Sequence, residues 1–218
     1  NLYNVRRATK GFADYINSQN PEYRQRGVVI AYDSRRMSPE FAKASALVLC
    51  HEGIHVYLFD ELRPVPILSY AVRHLHAIAG IVITASHNPR EYNGYKAYWS
   101  DGAQVVAPHD RNIIAEVQKI TSPGQVMIWK GDRSENIEIL DETFDQIYLE
   151  AVHGLSLSPD AVERYHDMKI VYTPLHGTGV ILVPESLRKY GFTNILTVKE
   201  QNIPDGNFPT VELSLIHI

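Results

Sequence analysis

The sequence has a single cysteine, Cys50, so no internal disulfide can form, and neither a disulfide framework nor a cysteine-rich zinc site is available. Long apolar runs are missing as well. No segment approaches the length of a membrane span, and the N-terminus lacks the features of a signal peptide. Charge of one sign is not in excess: the formal net charge is −4, with no long basic run. That argues against nucleic-acid and membrane partners and leaves an anionic substrate open. Internal repeats and low-complexity tracts are absent. What is present is ordinary for a globular protein, with 44% hydrophobic and 21% charged residues in 218, enough for one or two domains with real cores. The expected compartment is a reducing cytoplasm.

Val5, Phe12, Tyr15 and Ile16 stand near helical spacing and predict an amphipathic helix over 2–17. Gly27 to Tyr32 reads as a strand ending at Asp33-Ser34-Arg35. Ser38 is expected to cap, and Pro39 to open, a helix running to about Glu52 and stopped by Gly53. A strand from Ile54 to Phe59, a helix from Pro64 to His76 and a strand from Ala79 to Thr84 follow. Strands separated by helices indicate right-handed βαβ crossovers and a parallel core. Tyr95 to Trp99 breaks that rule. Only Ala85 to Gly94 precede it, fewer than the dozen or so residues of a parallel crossover, so an antiparallel return is expected. The fold class is therefore α/β: a three-layer α/β/α domain with a mixed, mostly parallel sheet. Its strand ends carry Asp33 and Ser86 to one edge, where open α/β sheets bind ligands.

Further on, helices are expected over 110–120 and from an Asp141 cap to His153, with a short helix or turn at Ser158-Pro159. A strand from Lys169 to Tyr172, a glycine-rich turn over 174–179, a helix ending at Gly191 and a strand from Ile195 to Val198 restart the α/β pattern. A first domain over 1–155 is thus followed by the start of a second, similar domain over 156–212. Residues 213–218 form a tail of different character.

The chemistry converges on Ile81 to Lys96, which reads I-V-I-T-A-S-H-N-P-R-E-Y-N-G-Y-K. An apolar run stops at Thr84, two turn signals follow at Asn88-Pro89 and Asn93-Gly94, and the next strand opens at Tyr95. A serine, a histidine, two asparagines and a lysine thus share one loop on a sheet edge. Alone, a turn serine is commonly a cap, and a strand lysine is commonly solvated. Neighbouring side chains usually point apart, which argues against a Ser86–His87 dyad, and A-S-H does not fit the nucleophile elbow G-x-S-x-G. His51-Glu52-Gly53-Ile54-His55 spells H-E-x-x-H, but Gly53 should end the helix and put the two histidines on different elements, so zinc chemistry is rejected there.

T-A-S-H-N-P with Y-N-G-Y-K resembles the active-site loop of the α-D-phosphohexomutases, the phosphoglucomutase and phosphomannomutase family. P-R-E-Y-N-G-Y-K-A-Y-W with D-G-A-Q-V is most similar to the branch holding phosphoglucomutases and phosphopentomutases. The resemblance implies an isomerase in which Ser86 is phosphorylated. Phosphoryl transfer would then run between Ser86 and a hexose phosphate, through a sugar bisphosphate. Phosphopentomutase, sugar-bisphosphate synthase and an inactive sugar-phosphate-binding fragment stand as alternatives. Lys96 and His87 are the implied acid–base groups. Arg35, in a D-x-R element after the first strand and expected to meet the phosphoryl-bearing loop through a bidentate contact, Asn88 and His176 are the candidate substrate-binding residues. The implied cofactor is Mg2+, with phosphorylated Ser86 as one ligand and an Asp-rich loop of the second domain as the rest. That loop, an early Gly- and Arg-containing loop and the later sugar-selecting domains are not in this chain. The resemblance therefore implies a piece truncated at both ends, itself without mutase turnover, whose residues 213–218 do not match the family.

Overall fold

Val28-Val29-Ile30-Ala31-Tyr32 makes the centre of the fold: a strand buried at every position, which only a sheet covered on both faces can accommodate. The computed structural model describes residues 1–131 and 135–211, and the 213–218 tail lies outside the described residues. Around the central strand β1 (Val28–Tyr32) stand α1 (Leu2–Gln19), a single turn α2 (Tyr23–Arg26), α3 (Ser38–His51), β2 (Val56–Phe59), α4 (Val65–His74), β3 (Ala79–Ile83), β4 (Tyr95–Trp99), α5 (His109–Lys119), β5 (Ile137–Leu140) and α6 (Glu142–His153). Then come α7 (Pro159–Arg164), β6 (Ile170–Tyr172), α8 (Leu182–Tyr190) and β7 (Ile195–Thr197).

The main sheet has the order β4-β3-β1-β2-β5. β1 pairs parallel with β2 and β3, and β2 pairs parallel with β5. β4 returns antiparallel to β3 in the register Val82–Lys96 and Ile83–Tyr95. The mixed, mostly parallel sheet is thus the one expected from the short 85–94 link. Alternate residues of β1 feed two cores. Val28 and Ile30 pack with Phe12, Ile16, Leu49 and Ile113 under α1, α3 and α5, whereas Val29 and Ala31 pack with Ile67, Leu68 and Phe144 under α4 and α6. Each fully buried Ile, Leu or Phe stabilises this arrangement by about 1.5–3 kcal/mol, so the sheet is a stiff base for the loops at its edge. β6 and β7 form a separate parallel pair, and α8 packs on α6, where Tyr190 Oη donates to Val152 O at 2.7 Å.

Two local expectations need correction. Ser38 is the first residue inside α3 rather than its cap. Met37 precedes it in the left-handed region (φ 65°), and the Ser38 hydroxyl donates to Asp33 Oδ1 at 2.8 Å. β5 was not expected. Its four residues alternate too briefly to signal a strand, and only pairing with β2 holds them extended. Asp141 does cap α6, accepting from Thr143 N at 2.9 Å. Gly53 (φ 74°) turns the chain after α3, so His51 ends the helix while His55 lies in the link before β2.

Candidate active site

β3 delivers its chain to the sheet edge, and there the path changes character. Thr84 N still pairs with Gly94 O at 3.1 Å, but Ser86 takes a left-handed conformation (φ 57°), with its amide donating to Thr84 Oγ1 at 3.0 Å. Positive φ is uncommon for a residue with a β-carbon and marks a position held by its surroundings. The result lifts Ser86 out of the sheet: Ser86 and His87 are exposed while Thr84 and Ala85 are buried. This backbone also corrects the expectation that Ser86 and His87 point apart, since Ser86 Oγ and His87 Nδ1 stand 3.4 Å apart. That spacing is long for a hydrogen bond but within reach of one on a small rotation.

Lys96 sits opposite Val82 on β4 and faces the same side of the sheet. It joins Ser86, His87, Thr84, Thr178 and Phe208 around a cleft of about 430 Å3. Val65 and Pro66, the first residues of α4, also line this cleft, so the start of a helix borders it. A lysine, the start of a helix and a raised serine together suit an anionic group that must be positioned and electrostatically stabilised.

The three expected substrate-binding residues fare differently. Arg35 does not reach the cleft as a free cation. It is 2% exposed, and its guanidinium is committed to the loop's backbone. His176 is also 2% exposed: Nδ1 donates to Ile203 O at 2.9 Å, and Nε2 meets Thr210 Oγ1 at 2.9 Å, so both ring nitrogens are occupied. Its neighbours Gly177 and Thr178 are what the glycine-rich turn brings to the cleft. Asn88 is exposed on the loop beside Ser86, where its side chain is open to solvent.

Residues not singled out from sequence complete the site. Phe208 arrives on the turn 205–208, which docks against the chain after β1. Arg36 Nη2 contacts Asn207 Oδ1, Arg90 Nη1 donates to Asn207 O at 3.2 Å, and a β-carbon on Gly206 would lie 2.6 Å from Arg36 N. Asp205-Gly206 is a turn signal in the sequence, but nothing local to it names the docking partner.

A Mg2+ site is not completed by these side chains. Among the described residues no group of three or more His, Cys, Asp or Glu could hold a metal ion. The carboxylate on the cleft, Asp33, already accepts from Arg35 N at 3.0 Å and Ser38 Oγ at 2.8 Å and faces Arg35 Nε at 3.3 Å. Of the ligand set that the resemblance implies, Ser86 is the member that stands on this cleft among the described residues.

Known proteins share this framework. The model of the phosphoglucomutase/phosphomannomutase α/β/α domain I matches residues 1–124, and that of domain II matches residues 146–214. A Schizosaccharomyces pombe protein assigned as a phosphoribomutase is 36% identical over 217 residues, covering 97% of this chain and 36% of its own length. A phosphoglucomutase of Staphylococcus saprophyticus is 36% identical over 219 residues, covering 98% and 38%. The crystal structure of a Thermus thermophilus protein assigned as a phosphomannomutase superposes with a TM-score of 0.79 at 25% identity, over 97% of this chain and 44% of that one. The chain thus spans little more than a third of the length of these curated relatives. With the domain I model matched over residues 1–124, more than half of the chain, and the domain II model following in order, the chain belongs to the phosphoglucomutase/phosphomannomutase family.

Proposed function

We propose that this chain is the phosphoserine-bearing part of a sugar-phosphate mutase acting on glucose 1-phosphate and glucose 6-phosphate. The observation that carries the reading is the placement of Ser86, raised on a left-handed residue at the end of β3, in one cleft with Lys96 from the return strand. A substrate hydroxyl attacks the phosphorus of phosphorylated Ser86. The new O–P bond forms as the P–Oγ bond breaks. The hydroxyl proton passes to Lys96, and His87 returns a proton to Ser86 Oγ. The product is a sugar bisphosphate. After it turns over in the cleft, its other phosphoryl group passes back to Ser86 by the same steps in reverse.

The glycine-rich turn and Phe208 place residues after 155 against this cleft, which supports reading 1–155 and 156–212 as two domains that meet at the site. A pentose phosphate is the second reading, favoured by the relative assigned as a phosphoribomutase. The test is a coupled assay with glucose 1-phosphate, and separately ribose 1-phosphate, in the presence of Mg2+ and a bisphosphate activator. It is run on the full-length protein and on the 218-residue chain. Turnover of glucose 1-phosphate by the full-length protein alone is expected. Turnover of the pentose alone would move the assignment to the second reading, and turnover of neither would end both.

A further inference from the structure

Four carbonyls of the Ser86 loop converge on one side chain. Arg35 Nη2 donates to Ser86 O at 3.0 Å and Asn88 O at 2.6 Å, while Nη1 donates to Pro89 O at 2.9 Å and Tyr92 O at 2.8 Å. Side-chain bonds hold the loop at its ends: Ser86 N donates to Thr84 Oγ1, Arg90 Nη1 to Asn207 O, and Asn93 Nδ2 to Arg36 O at 3.1 Å and Ser38 Oγ at 2.9 Å. Its own backbone bonds are two turn contacts, Asn88 N to Ala85 O and Tyr92 N to Pro89 O. Beneath it the guanidinium belongs to the largest fully buried side chain among the described residues, its Nε faces Asp33 Oδ2 at 3.3 Å, and the Phe208 ring lies 5.8 Å from its Cζ.

We propose that Arg35 is a positioning residue for phosphoryl transfer, a clamp that fixes the Ser86 loop so that Oγ is held at the cleft. The inference rests on the mutase reading above. A planar guanidinium presents five N–H donors in a fixed fork, and here four of those bonds set the relative positions of carbonyls from Ser86 to Tyr92. A lysine keeps the charge but has a single rotatable ammonium with three donors, so it cannot hold the same four acceptors. Carbonyls that lose these donors must find other partners or water, and Ser86 shifts with them. Asp33 orients the clamp, and Phe208 closes it against solvent from the other half of the chain. Because Arg35 touches the loop and not the open cleft, it acts on the reacting atoms through Ser86.

The test uses the full-length protein and has two arms. Nitrogen-15 spectra of the unmodified protein should show separate, slowly exchanging Arg35 Nη protons, because four carbonyls and burial hinder rotation and exchange. A single averaged Nη signal would overturn the clamp, and this arm needs no variant to fold. In the second arm, Arg35→Lys should lower kcat roughly 10²-fold, the loss expected from displacing a reacting group by about an ångström, with KM for glucose 1-phosphate unchanged. A raised KM at unchanged kcat would make Arg35 a substrate ligand instead, and parental values of both would leave it without a positioning role. Either result in an otherwise active enzyme defeats the inference alone. A wild-type protein with no mutase turnover defeats the functional reading, and the spectra still decide whether the clamp exists.

Discussion

Thr84 and Gly94 close the neck of the Ser86 loop: Thr84 N donates to Gly94 O at 3.1 Å, and a β-carbon on Gly94 would stand 2.5 Å from Thr84 O. The glycine is needed for this close approach and not for a positive φ. Gly94→Ala must therefore push the two chains apart where β3 and β4 join. An overpacked contact of this kind costs about 1–3 kcal/mol. Urea unfolding should show a lower midpoint at unchanged slope, and an unchanged midpoint would mean that the neck yields freely.

The buried pair between Arg63 and Asp145 ties α6 to the segment before α4. Nε and Nη2 of Arg63 donate to the two Asp145 oxygens at 2.8 Å each. Asp145→Ala leaves the buried guanidinium with only its longer contact to Asp60 Oδ1 at 3.4 Å, and removing the close partner of such a pair costs up to about 3–5 kcal/mol. The double variant Arg63→Met, Asp145→Leu removes both charges and should recover most of that loss. Equal destabilisation by the single and double variants would show that packing, not the orphaned charge, sets the cost.

Much of this architecture was readable from the chain because apolar periodicity and turn residues agreed along it. The 85–94 link is too short for a parallel crossover, and that fact alone fixed the direction of β4. β5 was not readable, since Ile137-Glu138-Ile139-Leu140 is held by a neighbour about 80 residues earlier in the chain and not by its own pattern. At the site, Ser86, His87 and Lys96 were legible through a local motif, and the structure gathers them in one cleft. What engages Arg35 and His176 was not legible. Sequence shows that a side chain can bind an anion, but not that backbone carbonyls or a threonine already occupy its donors.

Lys96 is the group assigned to take the substrate proton. Lys96→Ala should lower kcat by roughly 10²–10⁴, the range typical of lost acid–base help, and leave the fold intact because the residue is only half-buried. Turnover at the parental rate would make it a strand lysine and nothing more.

Asp141 gives a pH prediction. Its hydrogen bond from Thr143 N holds its carboxyl below the ordinary value of 3.8. A folded pKa that is depressed adds stability above the unfolded value, and that stability is lost as pH falls through the folded value. Asp141→Asn can still cap the helix but does not titrate. The melting-temperature difference between wild type and variant should be constant above about pH 5, where the wild-type carboxyl is ionised in both states, and should fall away below the ordinary value. A difference that stays constant down to strong acid would remove Asp141 from the acid-unfolding transition.

The central claim is that Ser86 carries the phosphoryl group. The direct measurement is peptide mass spectrometry of the full-length protein, wild type and Ser86→Ala, after incubation with glucose 1,6-bisphosphate. The account predicts one phosphoryl group on the wild-type peptide spanning Ser86, none on the variant, and loss of mutase turnover in the variant without loss of its thermal unfolding transition. A wild-type enzyme that turns over sugar phosphate with Ser86 unmodified, or a Ser86→Ala variant that keeps the parental rate, would contradict it.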